Sequence, residues 1–285
     1  MRYGLKARVT DVDSVKVYNS YDLVGDIAII KTPLDDVESA KKVAEAIISL
    51  YHRRVKTVFM QTSAVQGDFR IRHLKFLAGE NRTVTVYKEY GCLFKVDVER
   101  CYISPRLLFE HNRISALVAQ GEVIVNMFSG VGCFSILIAT YHSTKVYSID
   151  INPTAYEFMQ ENVQLNNVSD SVIPLLGDSK EIVNLQLRGV ADRVLMPLPE
   201  LALEYLPYAL LALKPSGGCI HYFDFQYAAK DEDPVEKTCQ KVVKCLDTLG
   251  VIYRIGFSRV IRSIGPNWYQ TVLDIYVSGL PSKFL

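Results

Sequence analysis

Long apolar runs are missing from this 285-residue chain. The longest, around Ile136 to Tyr141 and Leu206 to Leu213, fall well short of the roughly 18 to 20 residues that a membrane-spanning helix needs. The opening MRYGLKARVTD has no apolar signal-peptide core, so no membrane association and a cytoplasmic location are expected. Paired cysteines are missing as well. Cys92, Cys101, Cys133, Cys219, Cys239 and Cys245 are scattered, with no C-x-x-C and no histidine at a ligand-like offset. That disfavours a bound metal and leaves buried free thiols as the default. Repeats and low-complexity tracts are absent too. A net charge of +1 excludes a protein that attracts polyanions through its charge as a whole.

What is present is ordinary for a soluble globular protein of two modest domains: 49% hydrophobic and 22% charged residues. The near-neutral sum hides a local excess. Between His52 and Arg82 stand seven basic residues (Arg53, Arg54, Lys56, Arg70, Arg72, Lys75, Arg82) against two acids, Asp68 and Glu80. This is a candidate phosphate-binding face, although a merely solvated face has the same composition.

The first part of the chain mixes strand-like stretches (VKVYNSYDLVG, DIAIIKTP, VKTVFMQT) with the helical pattern DVESAKKVAEAIISLYH. There Asp36 is a suitable N-cap, and Ala40, Val43, Ala44, Ile47 and Ile48 share one face. Thr83 to Val98 reads as a β-hairpin turning near Glu89 to Gly91. After Arg106 the pattern changes to strands separated by helices: EVIVNMFS, TKVYSIDI, DSVIPLLGD, ADRVLMPL and GGCIHYFDF, with helices at Asn152 to Asn166 and Leu201 to Leu213. Such alternation predicts an α/β fold with a mainly parallel sheet and a ligand at the carboxyl ends of its strands. IYRIGFSRVIRSI and WYQTVLDIYVSG then close the sheet as a hairpin. The expected division is a smaller α+β unit over 1–106 and the α/β unit over 107–285.

Three consecutive strand ends in the second unit carry cofactor-type residues. VIVNMFSGVGCFS sets Gly130 and Gly132 between a strand and a helix, where absent side chains let a ligand approach the backbone. The next strand ends in Asp150, about 20 residues on, where a carboxylate can accept ribose hydroxyls. The third ends in LLGDS, delivering Asp178. A dinucleotide site usually has a third glycine for its pyrophosphate, and here that position is Ser135. S-adenosylmethionine has no phosphate and fits two glycines better, with a nicotinamide cofactor as the competing reading. A fourth strand end, RVLMPLPE, places Pro197 and Pro199 one residue apart. Prolines there form a rigid lip beside a pocket.

NMFSGVGCFSI, YSIDINPTAYEFMQENVQLN, ADRVLMPLPELALEYLPYALLALKPSGGCIHYF and RIRHLKFLAGENRTVTVYKEYGCLFKVDVERCYISPRLLFEHNRI resemble the archaeal and eukaryotic tRNA guanine-37 N1-methyltransferases and their wyosine-pathway relatives. The resemblance runs from about Lys16 onward. It implies a Rossmann-like class I methyltransferase sheet, S-adenosyl-L-methionine as cofactor, and a tRNA partner recognised at the anticodon arm, with tRNA-Phe expected. It also implies a short form without the extra N-terminal domain of longer members. By position, Glu110 matches the family's general base, Arg70 the arginine that balances charge on the purine carbonyl, and Tyr102 and Arg106 residues lining the target-base site. Asn126 and Phe128 join Gly130, Gly132, Asp150 and Asp178 around the cofactor, and Arg53, Arg54, Lys56, Arg72 and Lys75 are expected to meet RNA. Which of Arg70 and Arg72 reaches the base stays open.

The departures carry information. Asn126 stands where an acid is common, His111 where a second arginine is usual, and Pro197 where guanine-specific members have asparagine. The expected activity is methyl transfer to the purine at position 37. It goes to N1 of guanosine, to C7 of the tricyclic precursor 4-demethylwyosine, or to both, with Pro197 favouring C7. An aminocarboxypropyl transferase of the same pathway, or a non-catalytic RNA-binding relative, are the competing classes.

Overall fold

The computed structural model describes residues 21–31, 37–65 and 67–284. Asp36, the expected helix cap, and the start of the first expected strand lie outside them. The N-terminal sheet has the order β1-β2-β3-β4, from Tyr21–Val24, Ile27–Lys31, Thr57–Gln61 and Leu74–Gly79, with helix α1 (Val37–Tyr51) crossing over between the parallel pair β2 and β3. Both of these strands are apolar on both faces, because both faces are covered. Ala28, Ile30, Val58 and Met60 pack on Ala40, Val43, Ala44 and Ile47 of α1. Ile27, Ile29 and Phe59 point the other way, into a core shared with the rest of the protein.

The hairpin β5 (Val84–Glu89) and β6 (Cys92–Asp97) turns through Tyr90 and Gly91, both at positive φ, 42° and 81°. That is the backbone which a two-residue turn needs to match strand twist. Its free edge is covered by two amides of helix α4 (Pro153–Leu165) and its cap. Asn162 accepts from Lys95 N–H at 2.7 Å and donates to Lys95 C=O at 3.0 Å, and Asn166 does the same for Leu93 at 2.8 and 2.7 Å. Side-chain amides thus replace a missing strand, so the hairpin is bonded to the C-terminal body.

That body is a seven-stranded sheet of order β12-β13-β11-β10-β7-β8-β9. Its strands are β7 Val123–Asn126, β8 Lys145–Asp150, β9 Val172–Leu176, β10 Arg193–Met196, β11 Gly218–Tyr227, β12 Ile252–Gly265 and β13 Trp268–Gly279. Helices α2 (Leu108–Ala116), α3 (Cys133–Tyr141), α5 (Ser179–Gln186), α6 (Ala202–Ala212) and α7 (Pro234–Leu249) complete it. β7 pairs in parallel with β8 on one side and β10 on the other. The strand order reverses there, which opens a crevice above the carboxyl ends of those strands. The six cysteines are free, and no helix among the described residues is long and apolar enough to cross a membrane.

A chain of buried ions crosses this sheet. Glu122 receives Arg193 at 2.6 and 2.9 Å, and Arg193 reaches His221 Nε2 at 2.7 Å. His221 Nδ1 meets Asp274 Oδ1 at 2.6 Å, and Arg113 donates to both Asp274 oxygens at 2.6 and 3.0 Å and to Glu110 at 2.8 Å. Arg259 closes the chain 2.5 Å from Glu110. Three carboxylates (Glu122, Asp274, Glu110) balance three guanidiniums (Arg193, Arg113, Arg259), which leaves His221 neutral between a cation and an anion. Arg193 must donate to Nε2, so the ring proton sits on Nδ1 and faces Asp274. Burial would raise the Asp274 carboxyl, but the bonds from His221 and Arg113 prevail and draw it to about 2. For His221 burial wins over Asp274 and lowers its pKa.

The pH consequence has a definite sign. A histidine with a depressed folded pKa is protonated first in the unfolded chain, so its contribution to stability falls as pH drops below the unfolded value of about 6.5. His221→Gln keeps an acceptor and a donor without titrating there. Denaturant unfolding at stepped pH should show wild type losing stability relative to this variant below pH ~6.5, by up to about 1.4 kcal/mol per pH unit. Parallel curves would mean that folded His221 takes up the proton.

Candidate cofactor and substrate cavity

Above the crevice lies a cavity of about 230 Å³. The C-terminal ends of β7, β8, β9 and β10 supply its floor, through Met127, Phe128 and Gly130, then Asp150 and Asn152, then Asp178 and Ser179, then Pro197 and Leu198. The segments 68–70 and Tyr102 roof it from the other side.

Asp150 is the last residue of β8. One carboxylate oxygen accepts Gly130 N–H at 2.6 Å, and the other accepts Asn152 N–H at 2.9 Å. Each oxygen keeps a free lone pair, and the residue lines the cavity, as an acceptor for vicinal hydroxyls must. Burial raises its carboxyl above the ordinary aspartate range, against those two donors. Gly130 is there for its backbone, at φ 56°, since an added Cβ would meet only Tyr102 O at 3.5 Å. Gly132 differs: it caps α3 at φ 94°, and a Cβ would press on Ile136 at 2.9 Å, so it is a packing glycine outside the cavity lining.

Asn126 is also behind the wall. Fully buried, it donates to Ser135 Oγ at 3.1 Å and accepts weakly from Phe128 N–H at 3.4 Å, and so shapes the turn that carries Phe128. Asp178 caps α5 by accepting Lys180 N–H at 2.8 Å, and Tyr205 Oη donates to it at 3.2 Å. Tyr205 in turn meets Phe128 edge-to-face with centroids 5.0 Å apart. Carboxylates on two adjacent strand ends with an aromatic pair beside them suit a ribose and a purine ring. The residues therefore fit an adenosyl cofactor.

At the mouth, Arg70 stands at positive φ (52°), stacks over Tyr102 with its Cζ 4.4 Å from the ring centroid, and is paired with Glu200. Arg72 instead turns to Val98 C=O at 3.4 Å and does not line the cavity, so of the two it is Arg70 that faces the site. Two expected residues are elsewhere. Arg106 is on the surface, where it bonds Asp22 of β1 at 2.8 Å. Glu110 is 0% exposed on the sheet-facing side of α2, held by Arg113 and Arg259, and is absent from the cavity. Tyr102, three residues before the helical turn Pro105–Leu107, lines the cavity, while Arg106 in that turn and Glu110 after it go to other faces. The basic stretch divides as well. Strand β4 runs antiparallel to β3, with Thr57 opposite Gly79 and Gln61 opposite Leu74. Arg53, Arg54 and Lys56 therefore sit at the far end of the sheet from Arg70 and Arg72, with Lys75 exposed near the cavity end.

Sequence patterns did not single out Tyr205, Glu200, Asp68 or Asn152. Tyr205 falls within a helical apolar pattern that reads as core. Glu200 offered a signal by standing three residues beyond Pro197 in the same rigid lip.

Known tRNA-modifying proteins are similar to this chain. The TRM5/TYW2 methyltransferase domain matches residues 85–251, and the TYW2 N-terminal domain matches residues 1–83. The chain is 39% identical to tRNA (guanine(37)-N(1))-methyltransferase Trm5b of Pyrococcus abyssi, over 91% of this chain and 75% of that protein. It is also 39% identical to tRNA 4-demethylwyosine(37)-methyltransferase Taw21 of Saccharolobus solfataricus, over 92% of this chain and 95% of that one. Among solved structures, the complex of aTrm5 and tRNALeu superposes with a TM-score of 0.82 at 35% identity, over 95% of this chain and 76% of that chain.

Two variants test these placements. Asp150→Ala should weaken adenosyl-cofactor binding by about 1.5 to 3 kcal/mol in calorimetry, the usual worth of hydrogen bonds to a charged group. Unchanged affinity would remove Asp150 from the site. Glu110→Gln strips two arginines of a shared carboxylate, so unfolding free energy should fall by about 3 to 5 kcal/mol. Unchanged stability with collapsed turnover would instead put Glu110 in the proton-transfer step.

Proposed function

Because the chain belongs to the TRM5/TYW2 family of class I, S-adenosylmethionine-dependent tRNA methyltransferases, we propose that it methylates the purine at position 37 of tRNA, with C7 of 4-demethylwyosine favoured over N1 of guanosine. The observation that carries the choice is Pro197 in the cavity wall, directly after β10, with Leu198 beside it. An asparagine at that point can hydrogen-bond the polar edge of guanine. Proline offers a carbonyl and an apolar ring face. A polar edge left unpaired costs about 1 to 3 kcal/mol, which penalises guanine more than a larger tricycle with less polar edge. The likeness to Taw21 over 95% of that protein's length supports the same choice.

The bound cofactor supplies an electrophilic methyl group on its sulfonium sulfur. Asp150 and Asp178 would hold its adenosyl part, with Phe128 and Tyr205 offering rings to its purine. Loss of a ring proton leaves negative charge that spreads to the purine oxygen, where Arg70 would balance it, and the electron pair so freed would bond the methyl carbon as that carbon's bond to sulfur breaks. We assign that proton to Asp68, which lines the cavity, or to Glu200, which pairs with Arg70 at its mouth, and assign Glu110 to holding α2 against the sheet through Arg113 and Arg259. The tRNA substrate is tRNA-Phe, engaged by its anticodon arm, with Arg70 and Lys75 on the cavity side of the N-terminal sheet.

The deciding assay offers tRNA with unmodified guanosine 37 and, separately, tRNA carrying the tricyclic precursor, with products read by mass spectrometry. Methylation of the second should dominate, and Pro197→Asn should raise activity on the first. Efficient N1 methylation with none on the precursor would overturn the choice.

A further inference from the structure

The outer strand of the large sheet carries arginines beyond the one that enters the ion chain. Between Gly250 and Leu273 the chain has no carboxylate, while Arg254, Arg259 and Arg262 all stand on β12. Large apolar side chains are exposed among them: Phe257 (38%) and Val260 on β12, and Phe109 (56%) and Leu108 on the neighbouring α2. Guanidiniums sit over aromatic rings. Arg259 covers Phe109 at 4.3 Å and Arg113 covers Phe257 at 4.4 Å. Arg262 bonds only neutral groups, Gln270 Oε1 at 2.8 Å and Ser104 Oγ at 3.3 Å, and Arg254 stacks on Tyr276. Neither Arg254 nor Arg262 has a carboxylate partner among the described residues.

The register connects this strip to the cavity. β12 and β13 pair Gly265 with Trp268, and β13 pairs Trp268 with Tyr227 at the carboxyl end of β11, the side on which the cavity opens. Arg262 therefore sits at cavity level, and Ser104, its partner, is two residues from Tyr102 in the cavity roof. Cations without counter-charge, Arg262 at cavity level and Arg254 at the far end of the strip opposite Tyr276, with exposed aromatic rings between them, match single-stranded nucleic acid leading away from a base-sized cavity, since its phosphates seek arginine and its bases stack on rings. In the groove beside the hairpin, lined by Arg54, Arg82, Lys88 and Lys95, Asp26 and Glu80 neutralise Arg82, Glu161 neutralises Lys95, and the exposed apolar side chain, Val86, is not aromatic.

We propose that β12 and α2 form a second RNA-contacting surface, on which Arg254 and Arg262 bind phosphates and Phe109 stacks a base of the strand adjoining the nucleotide held in the cavity. The proposal rests on the reading of tRNA as substrate. It explains the arginines of an exposed edge strand by more than protection against edge pairing, which lysine would provide equally well.

The test measures tRNA affinity between about 50 and 200 mM salt for the unaltered protein, Arg254→Gln, Arg262→Gln, their combination, and Phe109→Ala. Each lost phosphate contact should lower the slope of log K against log salt by about one, and the double variant by about two. Phe109→Ala should weaken binding with the slope unchanged. Cofactor affinity and melting temperature should stay at the unaltered values, which separates lost contacts from misfolding. Unchanged slopes and affinities in all variants would overturn this proposal alone. So would a change of oligomeric state in the arginine variants, which would make the strip an interface between copies. No salt-dependent tRNA binding by the unaltered protein would overturn the substrate reading with it.

Discussion

The placement of the catalytic mouth depends on one buried ionic constraint, the bidentate hold of Arg113 on Asp274 with Glu110 accepting from the same arginine's Nε. Asp274 lies in β13, inside the sheet, and Arg113 and Glu110 lie on α2. The pair therefore fixes the helix against the sheet, and the short turn before the helix fixes Tyr102 over the cavity. Removing one member of such a set leaves a charge with no water to solvate it, so the set persists as a whole or not at all. Its extension through His221 and Arg193 to Glu122 spreads the same constraint across three strands and keeps the total charge at zero.

A second, softer constraint joins the two units. Asn162 and Asn166 act as a surrogate strand for β6, and Ile27, Ile29 and Phe59 of the N-terminal sheet enter the same core as Phe94 and Phe134. The segment 68–70 hangs from that sheet and reaches over the cavity. Arg70 is in place because the two units share one core, and the Arg70–Glu200 pair spans the opening between them. The substrate cavity is thus a property of the junction rather than of either unit.

Local patterns foretold much of this. Alternation of strands and helices after Arg106, the glycines before α3, the acids at the ends of β8 and β9, the hairpin turn at Tyr90 and Gly91, and the proline lip are all set by backbone preferences and short-range spacing. The structure has them where the spacing puts them. The unlike roles of Gly130 and Gly132 were not readable, since whether a glycine faces a ligand or a packed isoleucine depends on which helix crosses behind it.

Glu110 marks the limit most sharply. Its motif neighbours, Ser104, Pro105 and Arg106, announce a functional segment, but a motif states order along the chain and not direction in space. Across the helical turn at Pro105–Leu107 the chain changes direction, with Tyr102 before it at the cavity, Arg106 within it on Asp22 and Glu110 after it in the interior. The basic stretch from Arg53 to Arg82 likewise reads as one face, but the antiparallel pairing of β3 with β4 sets Arg53, Arg54, Lys56 and Arg82 at one end of the sheet and Arg70, Arg72 and Lys75 at the other. By itself the sequence determined the fold class, the cofactor strand ends and the apolar lip, because these follow from local backbone chemistry. Only the tertiary structure decided which charged side chains meet the cavity, which neutralise one another and which face solvent, because a charge takes its role from partners far away in the chain.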